Sequence, residues 1–199
     1  LITNMDSPLG SAVGNSLEVI ESVEILKGKT SGDLWTVCRE LSCRMLMLAG
    51  IGDKDECGRL VDEAVESGEA LKRFEMMVKL QGGDVSYIED TSKFRKASFS
   101  REVYAPADGY ITHMDSEKIG LTAVLLGAGR EKKEDNINHA AGIMIAAKAG
   151  DFVKRGELLA TLFADNKSRL DGAESRYLSA VSIGDKKPAE QPMILDYID

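Results

Sequence analysis

The residues that could do chemistry begin in the stretch PLGSAVGNSLEVIE, Pro8 to Glu21. A loop rich in Pro and Gly leaves backbone carbonyls available, and Glu21 follows one to two turns into a helix. Carbonyl oxygens plus one carboxylate suit a hard, weakly held monovalent cation and not zinc, because such oxygens can replace the hydration shell of potassium. Taken on these residues alone, the ordinary alternative weighs more, since most helical Glu side chains simply face solvent. The stretch GAGREKKEDNIN offers a second chemistry. Its glycines with Arg130, Lys132 and Lys133 could cradle an anion. It lacks the Gly-Lys-Ser/Thr ending of a nucleotide-binding loop, so a Gly-terminated helix followed by a solvated charged loop is the favoured reading.

A third chemistry is suggested by AAKAGDFVKRGELLATLFADN together with VYAPADGYITHMD. These read as the two hairpin halves of a biotinyl or lipoyl carrier domain. A swinging arm needs a lysine at an exposed hairpin tip. Lys148 precedes the Gly-Asp turn and Lys154 sits inside the hairpin, and neither is at the carrier position between the halves. The fold element is carrier-like, and the attachment site is not.

The elements that position these residues follow from periodicity. NSLEVIESVEILKG carries a helical stripe of Leu17, Ile20, Val23 and Leu26, with Asn15 or Ser16 as cap and Gly28 as stop. Asp33 is expected to cap the next helix, whose Leu34, Val37, Leu41, Met45 and Leu48 share one side. Asp53 with Glu56 forms a capping-box pattern, and a further helix runs from Glu69 to Leu80. From Ser100 the period changes to two. Strands flank the Pro-Ala-Asp-Gly turn, Ser116 is expected to cap a helix ending at Gly127, a strand pair spans 142–164, and a polar helix runs from Lys167 to about Ser182. Leu1-Ile2-Thr3 reads as the end of a buried strand in a chain that lacks an initiator Met, so the sequence is expected to be the C-terminal part of a longer protein. The division expected is a helical segment over 1–95 and a mixed α+β domain over 96–199, with the linker near Lys93 and Lys96.

Bulk properties narrow the function classes. A formal net charge of −8 opposes a nucleic-acid or anionic-membrane surface. No apolar run approaches the roughly 18–20 residues of a membrane span. The three cysteines, Cys38, Cys43 and Cys57, form no Cys-x-x-Cys pair and are expected as buried thiols in a reducing cytosol. With only two histidines, His113 and His139, a His-rich zinc site is not expected.

Several separate motifs, in order along the chain, resemble the thymidine and pyrimidine-nucleoside phosphorylase family. They are LITNMDSPLGSAVGNSLEVIESVEILKG, LQGGD, VYAPADGYI, IGLTAVLLGAGREKKEDNINHAAGI, AGDFVKRGELLATL and the final PMILDYI. Asn4 before Met5 and Ser7 before Pro8 are small departures at a loop. The resemblance covers essentially all of the chain and lies closer to the pyrimidine-nucleoside branch. It implies that residues 1–95 complete an α/β central domain, of which mostly helices remain here, and that 96–199 form an α+β C-terminal domain with a barrel-sandwich, carrier-like core. It implies a cytoplasmic homodimeric enzyme acting on a pyrimidine nucleoside with inorganic phosphate as co-substrate, and no nucleic-acid or membrane partner. The family's phosphate- and base-binding residues match no position in these 199 residues, so no catalytic or substrate-binding residue is assigned. Its potassium ligands do match: the carbonyls of Leu9 and Ala12 and the carboxylate of Glu21, forming part of a shell. A phosphoribosyltransferase-like relative and a stand-alone carrier module are the competing readings. The hairpins over 100–165 oppose the first, and the absence of a tip lysine opposes the second.

Overall fold

The computed structural model describes residues 1–130 and 132–198. In chain order the elements are β1 (Ile2–Thr3), β2 (Ala12–Val13), α1 (Asn15–Leu26), α2 (Gly32–Leu48), α3 (Lys54–Glu66), α4 (Glu69–Leu80), α5 (Ser86–Glu89) and a 3-10 turn (Thr91–Lys93). Then follow β3 (Phe99–Tyr104), β4 (Gly109–Met114), α6 (Ser116–Leu126), β5 (Gly142–Ile145), β6 (Phe152–Val153), β7 (Leu158–Ala164), α7 (Lys167–Ala180), β8 (Val181–Gly184) and β9 (Ile194–Asp196). The chain forms two compact units. The first holds residues 1–3, 20–93 and those from 192 onward, and the second holds 4–19 and 94–191.

The first unit is helical, with β1 and β9 as a two-stranded antiparallel pair. Leu1 and Ile2 are exposed, so the strand expected at the start of the chain is present but not buried. Asp53 caps α3 as its spacing predicts, accepting from the Glu56 amide at 2.9 Å. Gly68, in the left-handed region at φ 77°, ends α3 and opens α4. The Arg39 guanidinium from α2 donates two bonds to the Asp62 carboxylate on α3, both at 2.6 Å. This fork sets the approach of the two helices, and Val37, Cys43, Cys57 and Val61 are buried.

Two further expectations fail in this unit. Asp33 does not cap α2; Ser31 holds the N-cap position without a side-chain bond, and Asp33 accepts from Leu34 inside the first turn. The α2 stripe is also only partly core. Val37 is buried, whereas Leu41, Met45 and Leu48 are exposed.

The second unit packs α6 and α7 with two antiparallel sheets, ordered β2-β5-β7-β3 and β6-β4-β8. The strands flanking the Pro-Ala-Asp-Gly turn do not pair with each other. Val103 of β3 lies opposite Ala160 of β7, and Ile111 of β4 lies opposite Ile183 of β8. The second expected strand pair divides likewise, since β5 pairs with β7 while β6 pairs with β4. Each hairpin therefore crosses between sheets, which lets both sheets turn apolar faces toward one core. That core includes Ile111, Ile143, Leu159, Leu162, Leu170 and Tyr177. Among the described residues the Tyr177 hydroxyl has no hydrogen-bond partner, and burial pushes its pKa far up. The polar helix expected to reach Ser182 stops at Ala180, because Val181 to Gly184 continue as β8.

The remaining caps differ from expectation because the expected residues donate to distant backbone carbonyls while neighbouring carboxylates accept at the helix starts. Asp115, not Ser116, caps α6 by accepting from the Lys118 amide at 3.0 Å, while the Ser116 hydroxyl donates to the Met5 carbonyl. Neither Asn15 nor Ser16 caps α1. The Asn15 amide donates to the Ala128 carbonyl at 2.9 Å, and the Glu18 carboxylate reaches back to accept from the Gly14 amide at 2.7 Å.

Gly14 is confined for a second reason. At β2–β5 the chains approach so closely that a Cβ on Gly14 would sit 2.5 Å from the Ala141 carbonyl oxygen. One on Gly142 would sit 2.4 Å from the Val13 carbonyl oxygen, and their φ values are 139° and 155°. Gly142→Ala is expected to lower stability by roughly 1–3 kcal/mol through backbone strain and overpacking. Chemical denaturation measures this, with Gly150→Ala as the comparison for a positive-φ glycine in open space.

Candidate functional site

Leu9 and Ala12 belong to the second unit and Glu21 to the first. Leu9 is half-buried after buried Pro8, and Gly10 turns the loop at φ 73°. The loop is shorter than its composition suggests. Ala12 is buried in β2 opposite Met144, and the preceding Ser11 carbonyl accepts from the Ile145 amide at 2.7 Å. Glu21 is half-buried in the middle of α1. Ala12 and Glu21 both take part in further interactions. The donor types are carbonyl and carboxylate oxygens, which fit a hard cation. No cluster of three His, Cys, Asp or Glu side chains suited to a metal occurs among the described residues.

At the basic loop, Gly127 adopts φ 110° and closes α6. Its amide donates to Val124, and that of Ala128 donates to Ala123. The helix thus presents its C-terminus to the loop, where the macrodipole disfavours an anion. Arg130, Lys132 and Lys133 are exposed, and a turn joins Lys132 to Asp135. Glu131 lies outside the described residues. The carrier lysines each open a β-turn and do not occupy its tip. The Lys148 amide donates to the Asp151 carboxylate and the Lys154 amide to that of Glu157, both at 2.8 Å. His113 and His139 are exposed. Cys43 and Cys57 are buried as expected, but Cys38 is exposed. It lies on an apolar groove of about 640 Å³ lined by Trp35, Met45, Leu46, Leu60 and Phe74.

The most connected polar cluster was not singled out by sequence. Arg95 donates to Asp165 and to Asn138, each at 2.6 Å. Asn138 donates to the same carboxylate at 2.9 Å, and Ser98 donates to its other oxygen through amide and hydroxyl. This joins the segment entering β3, the end of the 127–139 loop and the β7–α7 junction. The partners are 27 to 70 residues apart in sequence, so no local motif marks them. The guanidinium first, and then the Ser98 amide, hold the Asp165 carboxyl far below the usual carboxylate range. A cavity of about 480 Å³ opens beside the cluster, lined also by His139 and Arg169.

Comparison with known proteins decides the family. The family described as pyrimidine nucleoside phosphorylase C-terminal domain matches residues 110–184. The pyrimidine-nucleoside phosphorylase of Bacillus subtilis (strain 168) is 41% identical over 169 residues, 84% of this chain and 39% of the relative. That of Geobacillus stearothermophilus is 34% identical over 196 residues, 98% of this chain and 45% of the relative. That of Staphylococcus aureus (strain bovine RF122 / ET3-1) is 37% identical over 186 residues, 93% of this chain and 43% of the relative. The chain belongs to the pyrimidine-nucleoside phosphorylase family. It spans less than half the length of these relatives. Among the described residues of this family member, no helix is long and apolar enough to cross a membrane. The region matching the family's C-terminal domain runs from Tyr110 in β4 to the end of β8, including the basic loop, Asn138 and Asp165.

The Asp165 cluster gives a pH dependence of definite sign. Its folded pKa is depressed, so its stabilisation is present above the unfolded value of about 3.9 and is lost as pH falls toward the folded value. The ion pair with Arg95 is partly exposed, so screening limits its worth. Asp165→Asn is expected to cost about 1–2 kcal/mol at pH 7. The gap between wild type and variant should narrow from pH 5 to pH 3 in thermal unfolding. A constant gap would show that the carboxylate charge carries none of it.

Proposed function

We propose that the chain is the part of a pyrimidine-nucleoside phosphorylase that supplies the C-terminal domain and a share of the cation site. The reaction is reversible phosphorolysis of uridine- or thymidine-type nucleosides. A phosphate oxygen bonds to the anomeric carbon, the carbon–nitrogen bond breaks, and its electron pair leaves with the pyrimidine. The products are free base and ribose- or deoxyribose-1-phosphate. The observation that carries this is the 34% identity to a protein of that name across 98% of the chain. The transition state is oxocarbenium-like, so catalysis rests on positioning and electrostatics. In this reading the phosphate- and base-holding groups come from outside these 199 residues.

Residues 1–95 are then the C-terminal part of the α/β domain, and 96–199 are the C-terminal α+β domain. The crossing of hairpins between two sheets supports a barrel-sandwich core for the latter. The whole enzyme is a cytoplasmic homodimer in this reading, as the family resemblance implies. Potassium is held by the Leu9 and Ala12 carbonyls and the Glu21 carboxylate, with remaining ligands elsewhere. When bound, it neutralises carboxylate charge and fixes the loop it touches.

Two outcomes follow. Potassium at one hundred times its dissociation constant stabilises a folded protein by about 2.7 kcal/mol. Glu21→Gln should abolish most of any potassium-dependent rise in melting temperature, whereas an unchanged potassium dependence removes Glu21 from the ligand set. The 199-residue chain should neither bind phosphate at micromolar concentration nor release base, because preorganisation worth roughly 7–11 kcal/mol requires both substrates to be held. Calorimetric titration with phosphate, with and without uracil, tests this. Saturable micromolar binding would overturn it and make 127–133 the first segment to mutate.

A further inference from the structure

The end of the chain closes the first unit. Residues 185–191 belong to the second unit, and from Pro192 the chain belongs to the first. There β9 pairs with β1, setting Asp196 opposite Ile2 and Ile194 opposite Thr3. An isolated two-stranded pair is at best marginally stable in water. The strands here have only two and three residues, so pairing alone does not account for their order.

The residue after β9 supplies the missing hold. The Tyr197 ring lies 4.1 Å from the Arg44 guanidinium carbon and 5.3 Å from the Lys54 ammonium, measured from its centroid. Both cations are in turn fixed by one carboxylate. Glu40 Oε1 lies 2.9 Å from Arg44 Nε and 3.7 Å from Lys54 Nζ, and its side chain is only 11% exposed. Glu40 and Arg44 are one turn apart on α2, while Lys54 is the first residue of α3. An aromatic face over two cations that a buried-side carboxylate already orients is a preorganised slot, because neither long side chain must be ordered anew when the ring arrives.

We propose that the C-terminal tail is a clasp: Tyr197, seated on Arg44 and Lys54, anchors β9 and thereby holds β1. β1 leads directly into the 4–13 segment that contains Leu9 and Ala12, yet the clasp stands whether or not that segment binds a cation. Tyr197 acts here as a positioning residue. The anchor is partly exposed and charged, so salt weakens it, while the helical core and the second unit do not depend on it.

NMR-detected hydrogen exchange on the whole 199-residue chain tests the clasp. Tyr197→Ala is expected to speed exchange across Ile2–Thr3 and Ile194–Asp196 by roughly five- to thirty-fold, the factor that 1–2 kcal/mol represents. Amides of α3, α6 and α7 should be unchanged. Tyr197→Phe keeps the ring on its cations and should retain most of the protection. Raising salt should speed exchange at β1 in the wild type more than in Tyr197→Ala. Unchanged exchange at β1 in Tyr197→Ala would overturn the clasp. A uniform increase over both units would overturn it as well, since it would make Tyr197 a general stability residue.

Discussion

At Gly14 and Gly142 two stretches of backbone come closer than any side-chain-bearing residues allow, and the second unit is organised around that approach. Bringing β2 onto β5 adds residues from the beginning of the chain to a sheet whose other strands all come after Ser98. Asn15 reaches Ala128, Ser116 reaches Met5, and the Ser16 amide donates to the His139 carbonyl. These bonds carry the 4–19 segment into the second unit and fix where α1 begins. Glycine is required because the constraint is contact between main chains, which no rotamer change can relieve.

The chain thus alternates between its units, and a linear division at residue 95 is a simplification of its topology. Long-range polar contacts tie distant segments together within the second unit. Asp165 gathers donors from Arg95, Ser98 and Asn138, while Arg101 on β3 binds Asp171 and Glu174 on α7 at 2.7 and 3.2 Å. Both place the entry to β3 against the same helix and the strand before it. Apolar burial between sheets and helices drives the collapse, and these charged forks select the register within it.

The first unit is different in character. Its helices bury Val23, Val37, Cys57 and Val61, but α4 buries no residue, and Leu48 and Leu80 are 89% and 81% exposed. A groove lined by Trp35, Met45 and Phe74 accompanies them. Relatives of this family are more than twice as long as the matched region.

The sequence by itself determined the family, the identity of almost every helix and the positions of the turns. Motifs, apolar period and Gly-terminated segments are local properties, and Asp53 and Gly68 do locally what their types dictate. Tertiary structure decided which oxygen caps a helix, because Asn15 and Ser116 are engaged by distant carbonyls, leaving Glu18 and Asp115 to satisfy the helix starts. It decided strand partners too. Alternation marks a strand on each side of the Pro-Ala-Asp-Gly turn but cannot say whether the first pairs with 109–114 or with 158–164. Strands β8 and β9 were missed because one continues directly from a helix and the other is three residues long. The cation ligands Leu9, Ala12 and Glu21 were legible only through resemblance, since carbonyl donors leave no side-chain signature. The Asp165 and Tyr197 clusters were invisible in sequence because their members are brought together only by folding.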